Sequence, residues 1–223
     1  MKYEIVGGDF QVLNIWLDDK EGVVSEAGAM TYMSGNIHME AKAIGGLTSA
    51  IKRMIGGSTA FLLEYTSKGS GFVAFSRKLG RIIPIDLKKD KYIIAQKGAY
   101  LASTPGVEIT ITLVRSIGAG LFGGEGFILQ KIEAKEDNQI VFVEACGQLL
   151  EIYLNPDQEI LVDPGNIVAF ESTVGYDIRR AGNIKTMLFG GEGLFLAKLV
   201  GPGKVWLQST NLNALLREFI PKR

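Results

Sequence analysis

Short runs in which apolar and polar residues alternate recur along this chain. In Val107-Glu108-Ile109-Thr110-Ile111-Thr112-Leu113 the valine, isoleucines and leucine fall on one face of an extended strand, the glutamate and threonines on the other. Ile37, Met39 and Ala41 alternate with His38, Glu40 and Lys42 in the same way. Such runs, closely spaced and separated by turn residues, predict an all-β sandwich or barrel rather than strands joined by long crossover helices. Helical spacing occurs twice. Ile44, Leu47, Ile51, Met54 and Ile55 suggest a short helix hemmed in by glycines. Leu212, Leu215, Leu216, Phe219 and Ile220 predict a terminal helix over about 211–219, capped by Ser209 or Thr210 and stopped by Pro221.

The pattern repeats. Leu188-Phe189-Gly190-Gly191-Glu192-Gly193-Leu194-Phe195-Leu196 has a near copy at 121–129 and a degenerate one at 54–62, each step being 67 residues. Ile85-Asp86-Leu87 matches Ile152-Tyr153-Leu154 at the same step and Ile15-Trp16-Leu17 at 70, and Gly80 matches Gly147. The expectation is one cooperative domain, 1–223, of three pseudo-symmetric antiparallel β-sandwich repeats near residues 15–84, 85–151 and 152–208, closed by the terminal helix. The glycines call for a strand register one residue away from the alternation. The alternation is preferred, because the other choice buries three polar side chains.

Composition narrows the function classes. Lys and Arg total 24 against 24 Asp and Glu, which removes the bulk attraction that nucleic-acid binders display. With Cys146 as the one cysteine there is neither an internal disulfide nor a thiolate metal cluster, and a cytoplasmic setting is expected. Neither a signal peptide nor an 18-residue apolar span is read.

Candidate chemistry is sparse. Gly118-Ala119-Gly120-Leu121-Phe122-Gly123 has dinucleotide-loop spacing, but a strand-like run follows where a helix must open. Glu125 and Glu192 sit at equivalent places beside the double glycines, where paired carboxylates would serve acid–base chemistry or a hard cation, or simply be solvated. His38 reads as a surface strand residue and Cys146 as a small buried one. No cofactor or metal is expected, and the absence of a motif in its required context weighs against an enzyme. The connections before the double glycines are apolar with a basic fringe: Ile51, Lys52 and Arg53 in the first, Arg115 and Phe122 in the second, Lys185 and Phe189 in the third. Together with Leu216 and Phe219 of the terminal helix, they point to a homo-oligomer, with another protein or a membrane surface as the alternative occupant, or, if buried, to a plug at the end of the chain's own core.

Gly190-Gly191-Glu192-Gly193-Leu194-Phe195-Leu196, the run 201–209 and Val162-Asp163-Pro164-Gly165-Asn166-Ile167-Val168-Ala169-Phe170 resemble a widespread prokaryotic family of unknown function. Its mitochondrial relatives form the "altered inheritance of mitochondria" group, member twenty-four. The resemblance spans nearly the whole chain. It implies a fold similar to that of the tryptophan RNA-binding attenuation protein, and a scaffold or protein-interaction role linked to membrane organisation. It supplies no catalytic residues. RNA or ligand binding is a lesser alternative, since Glu64, Lys131 and Lys198 are equivalent but unlike, and an enzyme using Glu125 and Glu192 in a glycine-rich cleft is another.

Overall fold

A computed structural model describes residues 1–43, 61–77, 79–115, 127–180 and 195–211. The chain is all-β, built of antiparallel sheets. In order the strands are β1 (Lys2–Val6), β2 (Val12–Leu17), β3 (Gly22–Glu26), β4 (Met30–Met33), β5 (Ile37–Ala43), β6 (Phe61–Ser67) and β7 (Gly71–Phe75). Next come β8 (Ile82–Leu87), β9 (Tyr92–Gln96), β10 (Tyr100–Ser103), β11 (Val107–Arg115), β12 (Phe127–Ala134) and β13 (Gln139–Glu144). The last are β14 (Leu149–Leu154), β15 (Glu159–Val162), β16 (Ile167–Glu171), β17 (Gly175–Arg180), β18 (Phe195–Val200) and β19 (Gly203–Gln208). A 3₁₀ turn, Pro164–Asn166, is the one helical element among the described residues. Both predicted α-helices lie outside them, apart from Asn211.

Four sheets form: β1-β2-β7-β4, then β5-β6-β3-β10-β13-β8, then β11-β12-β9-β16-β19-β14, and finally β15-β18-β17. Raising every strand number of the second sheet by six gives the third. Local geometry recurs with the same period. The turns after β2, β8 and β14 are closed by amides of Glu21, Lys91 and Gln158 donating to the carbonyls of Asp18, Lys88 and Asn155 at 3.1, 3.0 and 3.1 Å. Each turn holds one left-handed residue, Lys20, Asp90 or Asp157, at φ 65°, 61° and 63°. Aspartate tolerates that region, whereas lysine occupies it at a steric cost of about 1 kcal/mol. β-Bulges at Met30/Tyr32, Tyr100/Ala102 and Ile167/Ala169 mark equivalent strands.

Three cores lie between successive sheets. Leu13, Ile15, Val73 and Phe75 of the first sheet meet Val23, Ile37 and Tyr65 of the second, where Leu101, Ala102 and Phe142 extend the same core. Ile83, Ile85, Val141 and Val143 meet Ile93, Ala95 and Ile132, extended by Val168, Ala169 and Trp206. Leu154, Phe170 and Val205 meet Val162, Ala197 and Leu199 in the third core, beside a sheet that ends after three strands.

Two details depart from the sequence reading. Only Ile37 of the β5 alternation is buried; Met39 and Ala41 are exposed because β5 is the edge strand of its sheet. In β11 the alternation holds from Val107 to Ile111, and then a bulge before Leu113 inserts the odd residue. Gly80 and Gly147, equivalent by sequence, form a parallel bridge with one another. A Cβ on Gly80 would stand 2.1 Å from the Ala145 carbonyl oxygen, so only glycine fits this approach.

Candidate interaction surface

Ile51, Lys52, Arg53, Phe122, Glu125, Lys185, Phe189, Glu192, Leu216 and Phe219 lie outside the described residues. The strand ends that lead to them are described. Ala43 pairs with Phe61, Arg115 with Phe127 and Arg180 with Phe195, so each double-glycine segment joins two directly paired antiparallel strands. His38 is exposed on β5 with its Nε2 at 3.0 Å from Glu40 Oε1. Cys146 is buried just beyond β13, its amide donating to Gln208 Oε1 at 2.8 Å. Among the described residues no three His, Cys, Asp or Glu side chains are grouped as a metal site. No described helix is long and apolar enough to cross a membrane.

The structure brings forward residues that the sequence reading did not single out. On the outer face of the first sheet, Trp16 of β2 stands opposite Phe72 of β7, and Tyr32 of β4 packs edge-on against Phe72 with centroids 6.1 Å apart. Tyr32 also donates its hydroxyl to Asn14 Oδ1. Trp16, Tyr32 and Phe72 are 42%, 47% and 42% exposed, an unusual amount of uncovered aromatic surface in one place. Their signal in the sequence is the polar position they take in the alternation: Leu13, Ile15 and Leu17 point inward, so Trp16 must point out.

Polar clamps hold the junctions within the two six-stranded sheets. Tyr100 of β10 donates its hydroxyl to the Val24 carbonyl of β3 at 3.0 Å, and burial pushes that phenol's pKa far up. Arg77 binds Glu26 through its guanidinium and donates its amide to Glu144 Oε1 at 3.2 Å, so that both buried carboxylates are engaged. At the other junction Gln208 does the comparable work, accepting from Cys146 and donating Nε2–H to the Gly165 carbonyl at 2.8 Å. These groups hold strands together.

Comparison with known proteins places the chain. A crystal structure of a protein from Streptococcus pyogenes superposes with a TM-score of 0.78, covering 98% of this chain and 99% of that one at 23% identity, which establishes a shared fold. No curated protein matches the sequence. The family model described as mitochondrial biogenesis AIM24 matches residues 3–210, from β1 to just beyond β19. The chain therefore belongs to the mitochondrial biogenesis AIM24 family.

Proposed function

We propose that this chain is a non-catalytic assembly scaffold of three repeated β-sandwiches, and that its working surface is the aromatic face of the first sheet. The repeats run from β2 to β7, β8 to β13 and β14 to β19, in the pseudo-symmetric, attenuation-protein-like arrangement that the sequence resemblance implies. Each repeat packs its first, third and sixth strands against its second, fourth and fifth. Neighbouring repeats are joined edge to edge by β3–β10 and β9–β16.

One observation carries the reading: Trp16, Tyr32 and Phe72 stand together and uncovered. Aromatic side chains dominate the buried centres of protein interfaces, because they cover much area at little conformational cost. A formal net charge of zero does little to oppose association. The occupant favoured is another copy of the chain. Multi-angle light scattering from about 1 to 100 µM tests this, a range spanning micromolar self-affinity. Species above 24.2 kDa are expected for the unmodified protein, reverting to 24.2 kDa in Trp16→Thr/Phe72→Thr with an unchanged circular dichroism spectrum. A constant 24.2 kDa for the unmodified protein at every concentration sinks the reading.

A further inference from the structure

We propose that two copies of this chain join head to tail by pairing β4 of one with β15 of the other. This rests on the scaffold reading and names the contact that builds it. Inside the chain the second strand of one repeat pairs antiparallel with the third strand of the next, as β3 does with β10 and β9 with β16. The same rule applied once more assigns β15 to β4. Among the described residues, however, β4 pairs with β7 alone and β15 with β18 alone. The second and third sheets each run to six strands, whereas the fourth stops at three and the first lacks the matching half beyond β4.

Side chains show the same vacancy. β10 is buried at all four positions, and β16 at four of five; three of the four β4 residues are exposed. Leu161 on β15 is 56% exposed, and Tyr32 on β4 is 47%. The first core is extended by Leu101, Ala102 and Phe142 of the next repeat, and the second by Val168, Ala169 and Trp206. No residue of the first sheet is in the third core. The residues equivalent to Ala102 and Phe142 are Tyr32 and Ala74, on the aromatic face already described. A partner's fourth sheet laid along β4 would bring the partner's third sheet over that face, as the first sheet lies over β10 and β13, so that Tyr32 and Ala74 would extend the partner's third core.

The register follows from the internal pairs. Ala102 faces Ser25 and Ala169 faces Ala95, so Tyr32 faces Val162; Ser103 faces Val24 and Phe170 faces Ile94, so Met33 faces Leu161. A second copy carries the matching edge by construction, and among the described residues the side of β4 away from β7 has no strand partner to displace. β4 is held by its ladder with β7, and the loop after it by Asn36 Nδ2 donating to the carbonyls of Lys68 and Ser70 at 3.0 and 2.9 Å. The repeats are tied at their entries as well, where Gln11 donates its amide to the Gly80 carbonyl at 3.0 Å and Gln148 reaches Asp9 at 3.0 Å. An interface of this kind is heterologous, closing into a ring or reciprocal dimer when the rotation allows and running on as a filament when it does not.

Cysteine mapping on the full chain tests the contact. In a Cys146→Ser background, Met33→Cys protein is mixed with Leu161→Cys protein and oxidised with copper-phenanthroline. The expected product is a covalent dimer of about twice the chain mass, at least about tenfold more abundant than from Met39→Cys mixed with Leu161→Cys, since a directly opposed pair lies within disulfide reach and the control does not. The double variant Met33→Cys/Leu161→Cys must likewise give intermolecular product. If it instead gives only a faster-migrating cross-linked monomer, the edges close within one chain and the proposal is overturned. Absence of mixed dimer, while light scattering still shows oligomers, overturns this seam and leaves the scaffold reading standing. A monomer by both methods overturns both.

Discussion

Phe142→Ala is the most informative single substitution in the described structure, because Phe142 links the first two sheets. It lies on β13 of the second sheet, and its fully buried ring is part of the first core and meets Tyr3 of β1 edge to face at 4.9 Å and 77°. Truncating a buried phenylalanine costs about 3–5 kcal/mol, the transfer of the ring plus the cavity left behind. The edge-to-face contact accounts for about 0.5–1.5 kcal/mol of that. Against a total of about 5–15 kcal/mol for a folded domain the loss is large, and it must be felt across the junction if the repeats unfold together. Urea unfolding measures it. Trp16 reports on the first sheet and Trp206 on the third, so Trp16→Phe and Trp206→Phe backgrounds give two separate probes. Both midpoints should fall together, by an amount corresponding to about 3–5 kcal/mol. A loss below about 1.5 kcal/mol, or a shift seen by Trp16 alone, would refute the claim that the junction carries cooperative packing. A double-mutant cycle with Tyr3→Leu should return a coupling of about 0.5–1.5 kcal/mol.

Two further outcomes are expected. Gly80→Ala forces a Cβ to 2.1 Å from the Ala145 carbonyl oxygen and 2.7 Å from the Gly147 nitrogen, both backbone atoms; it should cost about 1–3 kcal/mol or more in urea unfolding, while Gly35→Ala, with open space around it, should stay within about 0.5 kcal/mol. Glu133 is held below the ordinary carboxylate range, first by its hydrogen bond from Lys135 and then by that from Lys131 at 2.9 Å. A depressed folded-state pKa makes this contribution to stability complete above the unfolded value and lost as pH falls through the folded one, so it fades on acidification below about 4.5. Lys135→Ala should raise the Glu133 pKa in a carbon-detected NMR titration, and an unmoved titration would show that the pair is too solvated to matter.

Much of this architecture was legible in the sequence because β-structure writes its period locally. The all-β class followed from alternation, and plain spacing singled out Gly80 and Gly147, which the structure brings together in a bridge. What alternation cannot show is which sheet supplies the facing half of a core. Val24, Ile94 and Leu161 look alike in sequence, but Val24 is buried under β10 whereas Leu161 has no such neighbour. β1 was not read as a strand, since its residues are nearly all exposed and carry little pattern. The limits near 15, 84 and 151 fall inside β2, β8 and β14 rather than between strands, because the matched triplets Ile15, Ile85 and Ile152 sit in mid-strand. Of the candidate interaction residues only Arg115 falls within a described strand. No local pattern joins the uncovered aromatics, because Trp16, Tyr32 and Phe72 converge only once β2, β7 and β4 are side by side.

The chemistry at the junction ends bears on whether the last two edges can meet. At the first junction Glu26 and Glu144 are both buried, Glu26 paired with the Arg77 guanidinium and Glu144 accepting from the Arg77 amide; a carboxylate left unpaired there would cost several kcal/mol. At the second, the equivalents of Glu26 and Glu144 are Gln96 and Gln208, neutral amides. At the open edges the equivalents are Asp163 and Ser76. Each is already satisfied within its own repeat, Asp163 Oδ1 accepting from the Gly165 amide at 2.8 Å and Ser76 Oγ donating to the Gln11 carbonyl at 3.0 Å. Pairing β4 with β15 leaves the Arg77 clamp of the first junction in place and sets Asp163 beside the seam with the Gly165 amide as its donor. The balance at that seam is set by backbone hydrogen bonds and by covering Tyr32, Met33 and Leu161, terms that favour contact wherever two such edges are presented in register.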